Sequence, residues 1–239
     1  MVEIDGPSEG GANREFLKYT FYKVQAEWRR LPDDIRKKHR TEFVRLLHEF
    51  EDDVTIRCYA LQGIRADADF MTWAIDPRLE TFVEMARRVF STELGGYLES
   101  AYAYLAATRR SSYLGGHAHP GQDGSGKRAV PHGSRYLFVY PFVKKREWYS
   151  IPFEHRQEIM RDHFRVGHKY PSVQIHTGYS FGLDDQEFVL AFESDEPLDF
   201  LDLVMELRSS EASRYTERET PIFTCILSTP EHVLDALGR

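Results

Sequence analysis

Two stretches, GIRADADFMTWAIDP at Gly63–Pro77 and GLDDQEFVLAFESDEP at Gly182–Pro197, carry the same punctuation. Each runs from a glycine through acidic residues and a phenylalanine into an apolar, strand-like segment, and ends on a proline that can open a helix. Gly63 and Gly182, Phe70 and Phe188, and Pro77 and Pro197 lie 119, 118 and 120 residues apart. A near-constant offset marks an internal duplication. Glycine and proline punctuate most mixed chains, so the order of the surrounding elements has to decide against coincidence. Before the first stretch come a strand at Phe16–Gln25, a helix from Leu31 to Phe50 with Phe43, Leu46, Leu47 and Phe50 at helical spacing, and a strand at Val54–Gln62. The stretch itself supplies a strand at Phe70–Ile75. Pro77 then opens a helix expected to bury Leu79, Phe82, Val83, Ala86 and Phe90, and a strand at Tyr97–Ala107 follows. The second half repeats this as a strand at Tyr136–Val143, a helix at Pro152–Gly167, strands at Val173–Ser180 and Glu187–Glu193, a helix at Pro197–Arg208 and a strand at Pro221–Ser228. A short helix at Pro230–Leu237 closes the chain. Both halves read β-α-β-β-α-β, the ferredoxin-like order. The expected fold class is α+β, with a flexible N-terminus at 1–14, an N-terminal half at 15–107, an inter-half loop at 108–133 and a C-terminal half at 134–239.

Composition narrows the function classes. The chain has 239 residues, 41% of them hydrophobic, enough for a substantial core. A net charge of −7 argues against a general nucleic-acid binder. Cys58 and Cys225 are the two cysteines, so zinc ribbons, CxxC redox chemistry and covalent haem attachment lack their residues, and two buried thiols are expected. The polar N-terminus lacks a signal-peptide core, and no apolar run reaches membrane-spanning length, so a cytoplasmic protein is expected.

Charge is distributed unevenly. Gly124–Arg146 has no acid but holds Lys127, Arg128, His132, Arg135, Lys144, Lys145 and Arg146. An anion site and a lysine-blunted edge strand fit this equally on charge alone. Tyr140, Phe142, Trp148 and Tyr149 interleave with those cations, and alternation puts Tyr140, Phe142 and Lys144 on one strand face. An ordinary core strand ending in a lysine has the same pattern. His163 follows Met160 and Ile159 at helical spacing, so it shares their apolar face. A buried imidazole needs a hydrogen bond, a carboxylate or a metal. Without HExxH or a histidine array, a metal-binding His163 would act as a single axial ligand, as proteins hold haem iron.

Four motifs in order, YPFVKKREWY at Tyr140–Tyr149, RDHFRVGHKYP at Arg161–Pro171, SFGLDDQEF at Ser180–Phe188 and ELRSSEASRYT at Glu206–Thr216, resemble the chlorite dismutase-like superfamily, in particular its coproheme decarboxylases. Phe164 stands where that family usually has glycine. The resemblance spans nearly the whole chain and implies two ferredoxin-like halves forming a dimeric α+β barrel, usually in a homopentamer. It implies iron coproporphyrin III (coproheme) as substrate and cofactor, haem b as product, hydrogen peroxide as oxidant and ferrochelatase as the partner delivering coproheme. Carried over by residue, His163 matches the axial iron ligand and Tyr140 the tyrosine that becomes a radical and attacks propionates. Lys144 matches the basic residue at the reacting propionate, Trp148 the tryptophan beside the second, and Ser213 a propionate-binding serine. Phe142, Lys127, Arg128 and Gln174 complete the expected cofactor-binding set.

Two departures separate the chain from chlorite dismutases of the same superfamily. Their distal arginine would fall at Gln174–His176, which reads Gln-Ile-His, and their glutamate beside the axial histidine would fall near Ala212. The distal residue is left among Gln174, Ile175, His176 and a loop histidine such as His119. The resemblance therefore implies a peroxide-dependent coproheme decarboxylase. The alternatives are a chlorite dismutase, a haem-binding or transfer protein without turnover, and an iron-free barrel of the monooxygenase type.

Overall fold

The computed structural model describes residues 14–113 and 128–238. The first half comprises β1 (Phe16–Val24), α1 (Ala26–Arg29), α2 (Asp33–Glu51), β2 (Thr55–Ala60), β3 (Phe70–Asp76), α3 (Leu79–Phe90) and β4 (Leu98–Ala107). The second comprises β5 (Tyr136–Lys144), α4 (Arg146–Ser150), α5 (Phe153–Gly167), β6 (Gln174–Tyr179), β7 (Phe188–Ser194), α6 (Pro197–Arg208), β8 (Thr216–Arg218) and β9 (Phe223–Ser228), followed by α7 (Pro230–Ala236). The strand order β7-β6-β4-β1-β3-β2-β9-β5-β8, with β5 also pairing to β7, closes eight antiparallel strands into a ring and leaves β8 as an annex. Within each half the order is the ferredoxin-like 4-1-3-2, as the duplication predicts.

Local chemistry repeats with the duplication. Gly63 and Gly182 both take positive φ, +81° and +73°, in the same turn, a conformation that favours glycine. The Asp69 carboxylate accepts the Val24 amide at 2.8 Å, and the Glu187 carboxylate accepts the Lys144 amide at 2.8 Å. Pro32 and Pro152 precede the first residues of α2 and α5. Trp28 and Trp148 are buried on α1 and α4, two short helices that the sequence reading missed.

Alternation sorts the apolar residues into layers. Leu17, Tyr19 and Phe21 of β1, Met71 and Trp73 of β3, Leu137 and Val139 of β5, and Phe223 and Cys225 of β9 fill the barrel. Cys58 and Cys225 are buried free thiols, as expected. Outside the barrel, α2 and α3 cover the first half and α5 and α6 the second. Helix α3 is rotated from its expected face. It buries Thr81, Phe82, Met85 and Val89, whereas Leu79, Val83, Ala86 and Phe90 face outward, Val83 at 71% exposure. The helix carries two apolar stripes, and only the sheet decides which is covered. Helix α7 packs against α2, placing Val233, Leu234 and Leu237 with Trp28 and Phe43. The end of the chain thus serves the first half's outer layer.

Two seams join the halves. Strand β2 meets β9 over three residue pairs, Cys58–Ser228 to Ala60–Ile226, but β4 meets β6 at Ala107–Tyr179 alone. Side chains of the SFGLDDQEF motif reinforce the weaker seam. The Leu105 amide donates to Asp184 Oδ2 at 2.8 Å, and Ser180 Oγ donates to the Leu105 carbonyl at 2.7 Å. Gly178 allows the close approach, because a Cβ there would stand 2.6 Å from Ala106 Cβ. Glu15 ties both legs of the inter-half loop: its carbonyl accepts the Thr108 amide at 2.8 Å, and its carboxylate accepts the Ala129 amide at 2.8 Å. Asp184→Ala leaves the Leu105 amide without its acceptor, so it should lower stability by about 1–3 kcal/mol in denaturant unfolding. An unchanged midpoint would mean that Asp184 does not stitch the seam.

Candidate functional site

Tyr140 lies in the middle of β5, opposite Leu190 of β7. Its ring is 6% exposed among Phe138, Phe192, Phe200 and Leu203, 5.9 Å from Phe192 and nearly parallel to it. Burial raises the phenol pKa well above its ordinary value, with Arg208 pulling weakly the other way, so the phenol is neutral at ordinary pH. Phe142, two residues on, packs edge-on against Phe188 at 6.2 Å.

Lys144 ends β5 on the same face. Its ammonium lies 4.4 Å from the Trp148 ring centroid and 5.4 Å from that of Phe142, and donates to the Ala212 carbonyl at 3.3 Å. Burial lowers its pKa to about 8, partly opposed by Glu187. Glu187 was not foreseen. It accepts the Lys144 amide and, at 2.6 Å, the Tyr149 hydroxyl, so it fixes the turn from β5 into α4 that presents Trp148.

His163 lies on the inward face of α5 with Arg156, Ile159 and Met160, beside the cluster of Trp148, Ile159 and Ala212. Nδ1 is buried and has no hydrogen-bond partner. Burial, reinforced by the positive charge of Lys144, lowers the ring's pKa to about 4. The imidazole is therefore neutral with an available lone pair, as a metal ligand must be. Groups of three or more His, Cys, Asp or Glu with metal-binding geometry do not occur among the described residues, so a metal here would have fewer than three such protein ligands among them.

The remaining expected residues divide. Ser213 sits in the turn after α6 and donates to the Arg208 and Ser210 carbonyls at 2.7 and 2.9 Å, so its proton is used locally. Arg128 pairs with Glu15 at 3.3 Å. Lys127 and His119 lie outside the described residues. Val173, just before β6, and Ile175 on it pack with the Tyr140 cluster, so Gln174 and His176 take the opposite face. His176 is held by the buried Glu193 at 2.7 Å with its ring 5.2 Å from Trp73, and Gln174 Oε1 is buried without a partner. Ile175 is thus the one of the three β6 candidates on the Tyr140 face. The sequence reading also missed Tyr113 and Arg156. The seven-residue spacing between Arg156 and His163 could have revealed the latter.

A buried tyrosine, a cation lying on a tryptophan and an unpartnered histidine share one side of the second half. Residues 36–228 match the chlorite dismutase family. The chain belongs to that family. Coproheme decarboxylase of Mycolicibacterium smegmatis is 34% identical to it over 170 residues, 70% of each chain. A mutant chlorite dismutase from Candidatus Nitrospira defluvii superposes with a TM-score of 0.85 at 22% identity, over 94% of this chain and 96% of that one. A haem-binding protein from Thermus thermophilus superposes with a TM-score of 0.82 at 24% identity, over 93% and 94%. These structural likenesses establish that the chain has the chlorite dismutase family fold. No helix among the described residues is long and apolar enough to cross a membrane.

The His163 pKa has a consequence for stability. In the unfolded chain the ring titrates near 6.5, and in the folded chain near 4. Between these values the unfolded state binds more protons, so stability falls as pH drops through this window. Replacing His163 with leucine should flatten the acid limb of stability between about pH 6.5 and pH 4. An acid limb with unchanged slope would show that the ring is protonated in the fold.

Proposed function

We propose that this protein catalyses the peroxide-dependent decarboxylation of two propionates of iron coproporphyrin III, giving haem b for haem biosynthesis. The observation that carries the reading is the unpartnered, neutral His163 beside Lys144, a cation that pairs with no carboxylate among the described residues. A ligand supplying both a metal and carboxylates would engage the imidazole lone pair and the Lys144 ammonium at once. The similarity to the Mycolicibacterium coproheme decarboxylase favours the same choice.

His163 would hold the iron. Ala212 offers no carboxylate and Nδ1 has no acceptor, so nothing in the described residues makes the ring a stronger donor. Bound iron coproporphyrin III, with peroxide, supplies the oxidising power. For each propionate, one carboxylate, one peroxide and one proton become one vinyl group, one CO2 and two waters. Tyr140 relays oxidising equivalents to the propionate, and its neutral phenol has both the proton and the electron to give. Its apolar surroundings exclude water that could divert the reaction. Lys144 holds the reacting carboxylate by a charge-assisted hydrogen bond, and Trp148 supports Lys144 and borders the second propionate. Phe142 would line the porphyrin edge, and Ser213 could accept but not donate without giving up its local bond. Lys127 and Arg128 keep their place in the proposal on charge, and Gln174 keeps its place on the resemblance alone. So do a homo-oligomer, a pentamer in the family's usual form, the transient contact with ferrochelatase and a cytoplasmic location.

The rival reading, chlorite dismutation on the same fold, rests on the structural likeness to chlorite dismutases. The apolar Ile175 on the Tyr140 face weighs against it, because that chemistry would call for the family's distal arginine there. Titrating the protein with iron coproporphyrin III and then adding peroxide should give two successive losses of CO2 by mass. Oxygen release from chlorite without CO2 loss would overturn the reading. Tyr140→Phe should still bind coproheme but convert it at least about a hundredfold more slowly. Lys144 can hold a carboxylate strongly only while protonated, so coproheme affinity should fall as pH rises above about 8. In Lys144→Met that fall should vanish from the Soret titration.

A further inference from the structure

Among the described residues, Arg156 is a cation without an acid. It lies on α5 seven residues before His163, on the same face and about 10 Å along the axis. One terminal nitrogen donates to the Tyr113 hydroxyl at 3.2 Å, while Nε is buried and has no acceptor. Its other neighbours are rings: the guanidinium lies 5.6 Å from the Phe153 centroid and 6.0 Å from that of Tyr113. It pairs with no carboxylate among the described residues. A half-buried guanidinium left in that state is costly unless an anion joins it.

The duplication supplies an internal control. Arg36 stands at the equivalent place on α2, and its amide donates to the Pro32 carbonyl just as that of Arg156 donates to Pro152. Arg36 also has a buried Nε without an acceptor, but its other nitrogens are served. One donates to the Gly238 carbonyl at 3.0 Å and another pairs with Asp33 at 3.2 Å. In the second half both partners are gone. Phe153 replaces Asp33, and no helix corresponding to α7 covers α5 among the described residues. The position equivalent to His163 is Phe43, packed against α7 in the first-half core. Arg36 reaches the chain just after α7, whereas Arg156, at the equivalent place, has no such chain to reach among the described residues.

We propose that Arg156 anchors a porphyrin carboxylate that haem b lacks, and so selects coproheme over product. This rests on the proposed function. Lys144 lies over the Trp148 ring, and Tyr113, bonded to Arg156, meets that ring edge-on at 6.2 Å. One cation thus lies on the tryptophan and a second reaches it through Tyr113, neither paired to a carboxylate among the described residues, and the reaction removes two carboxylates.

The test is binding without peroxide. Wild type, Arg156→Gln and Arg156→Lys are titrated with ferric coproporphyrin III and with ferric haem b, following the Soret band. In Arg156→Gln, coproheme affinity should fall about tenfold or more with haem b affinity unchanged, and Arg156→Lys should recover part of the loss. Retained haem b binding shows that the variant is folded. Unchanged coproheme affinity, or an equal loss for both porphyrins, would overturn the assignment. Wild type that binds no coproheme would instead sink the proposed function itself.

Discussion

Closure of the barrel at its two seams is the constraint on which everything else hangs. Each half alone is a four-stranded sheet with two open edges, which is a liability in water. Joining the edges removes it, but with unequal means. Main-chain pairing over three residue pairs holds β2 to β9, whereas Asp184, Ser180 and Gly178 hold β4 to β6 through side chains and close approach. With both seams closed, residues on one face of β5 turn into the barrel and those on the other face meet α5 and α6. That places Tyr140 and Lys144 on the helix side, in reach of a helix that carries His163.

Duplication alone would produce two equal grooves between sheet and helices. Asymmetry comes from the end of the chain, which crosses back and fills the first groove with Val233, Leu234 and Leu237. The same positions then diverge in chemistry. Phe43 is core where His163 is a neutral base, Asp33 is a counterion where Phe153 is a ring, and Val24 is apolar where Lys144 is a cation. Both halves keep some buried polar atoms without partners, among them Trp28 Nε1 and His39 Nδ1 in the first and Arg156 Nε and His163 Nδ1 in the second, but the cation at Arg36 has its carboxylate and the one at Arg156 has none among the described residues.

Much of this was legible in sequence, for physical reasons. The six-element repeat shows because period and punctuation are local properties. Alternation and helical spacing fix relative faces within one element, so Tyr140, Lys144 and His163 could be placed on their faces, but an ordinary core accounted for them until the resemblance of the four motifs gave them roles. What failed depended on register or on distant chain. Helix α3 has two apolar stripes, and spacing cannot say which meets the sheet. Gln174, Ile175 and His176 alternate with certainty, but their phase is set by pairing with β7. The contact of α7 with α2 joins residues nearly two hundred positions apart. Arg156 was passed over because a lone arginine on a charged helix is ordinary until the acids around it have been counted.

Glu15 gives the inter-half loop a property of its own. Because one residue holds both Thr108 and Ala129, the chain between them leaves and returns at a single point. The entropy of closing a loop grows slowly, by about 0.6 kcal/mol per doubling of length, so the strands it joins bear little extra cost if the connection lengthens. Between the two anchors Tyr113 returns to the scaffold, bonded to Arg156 and packed on Trp148, so the length of the loop can drift more freely than the residues at its root.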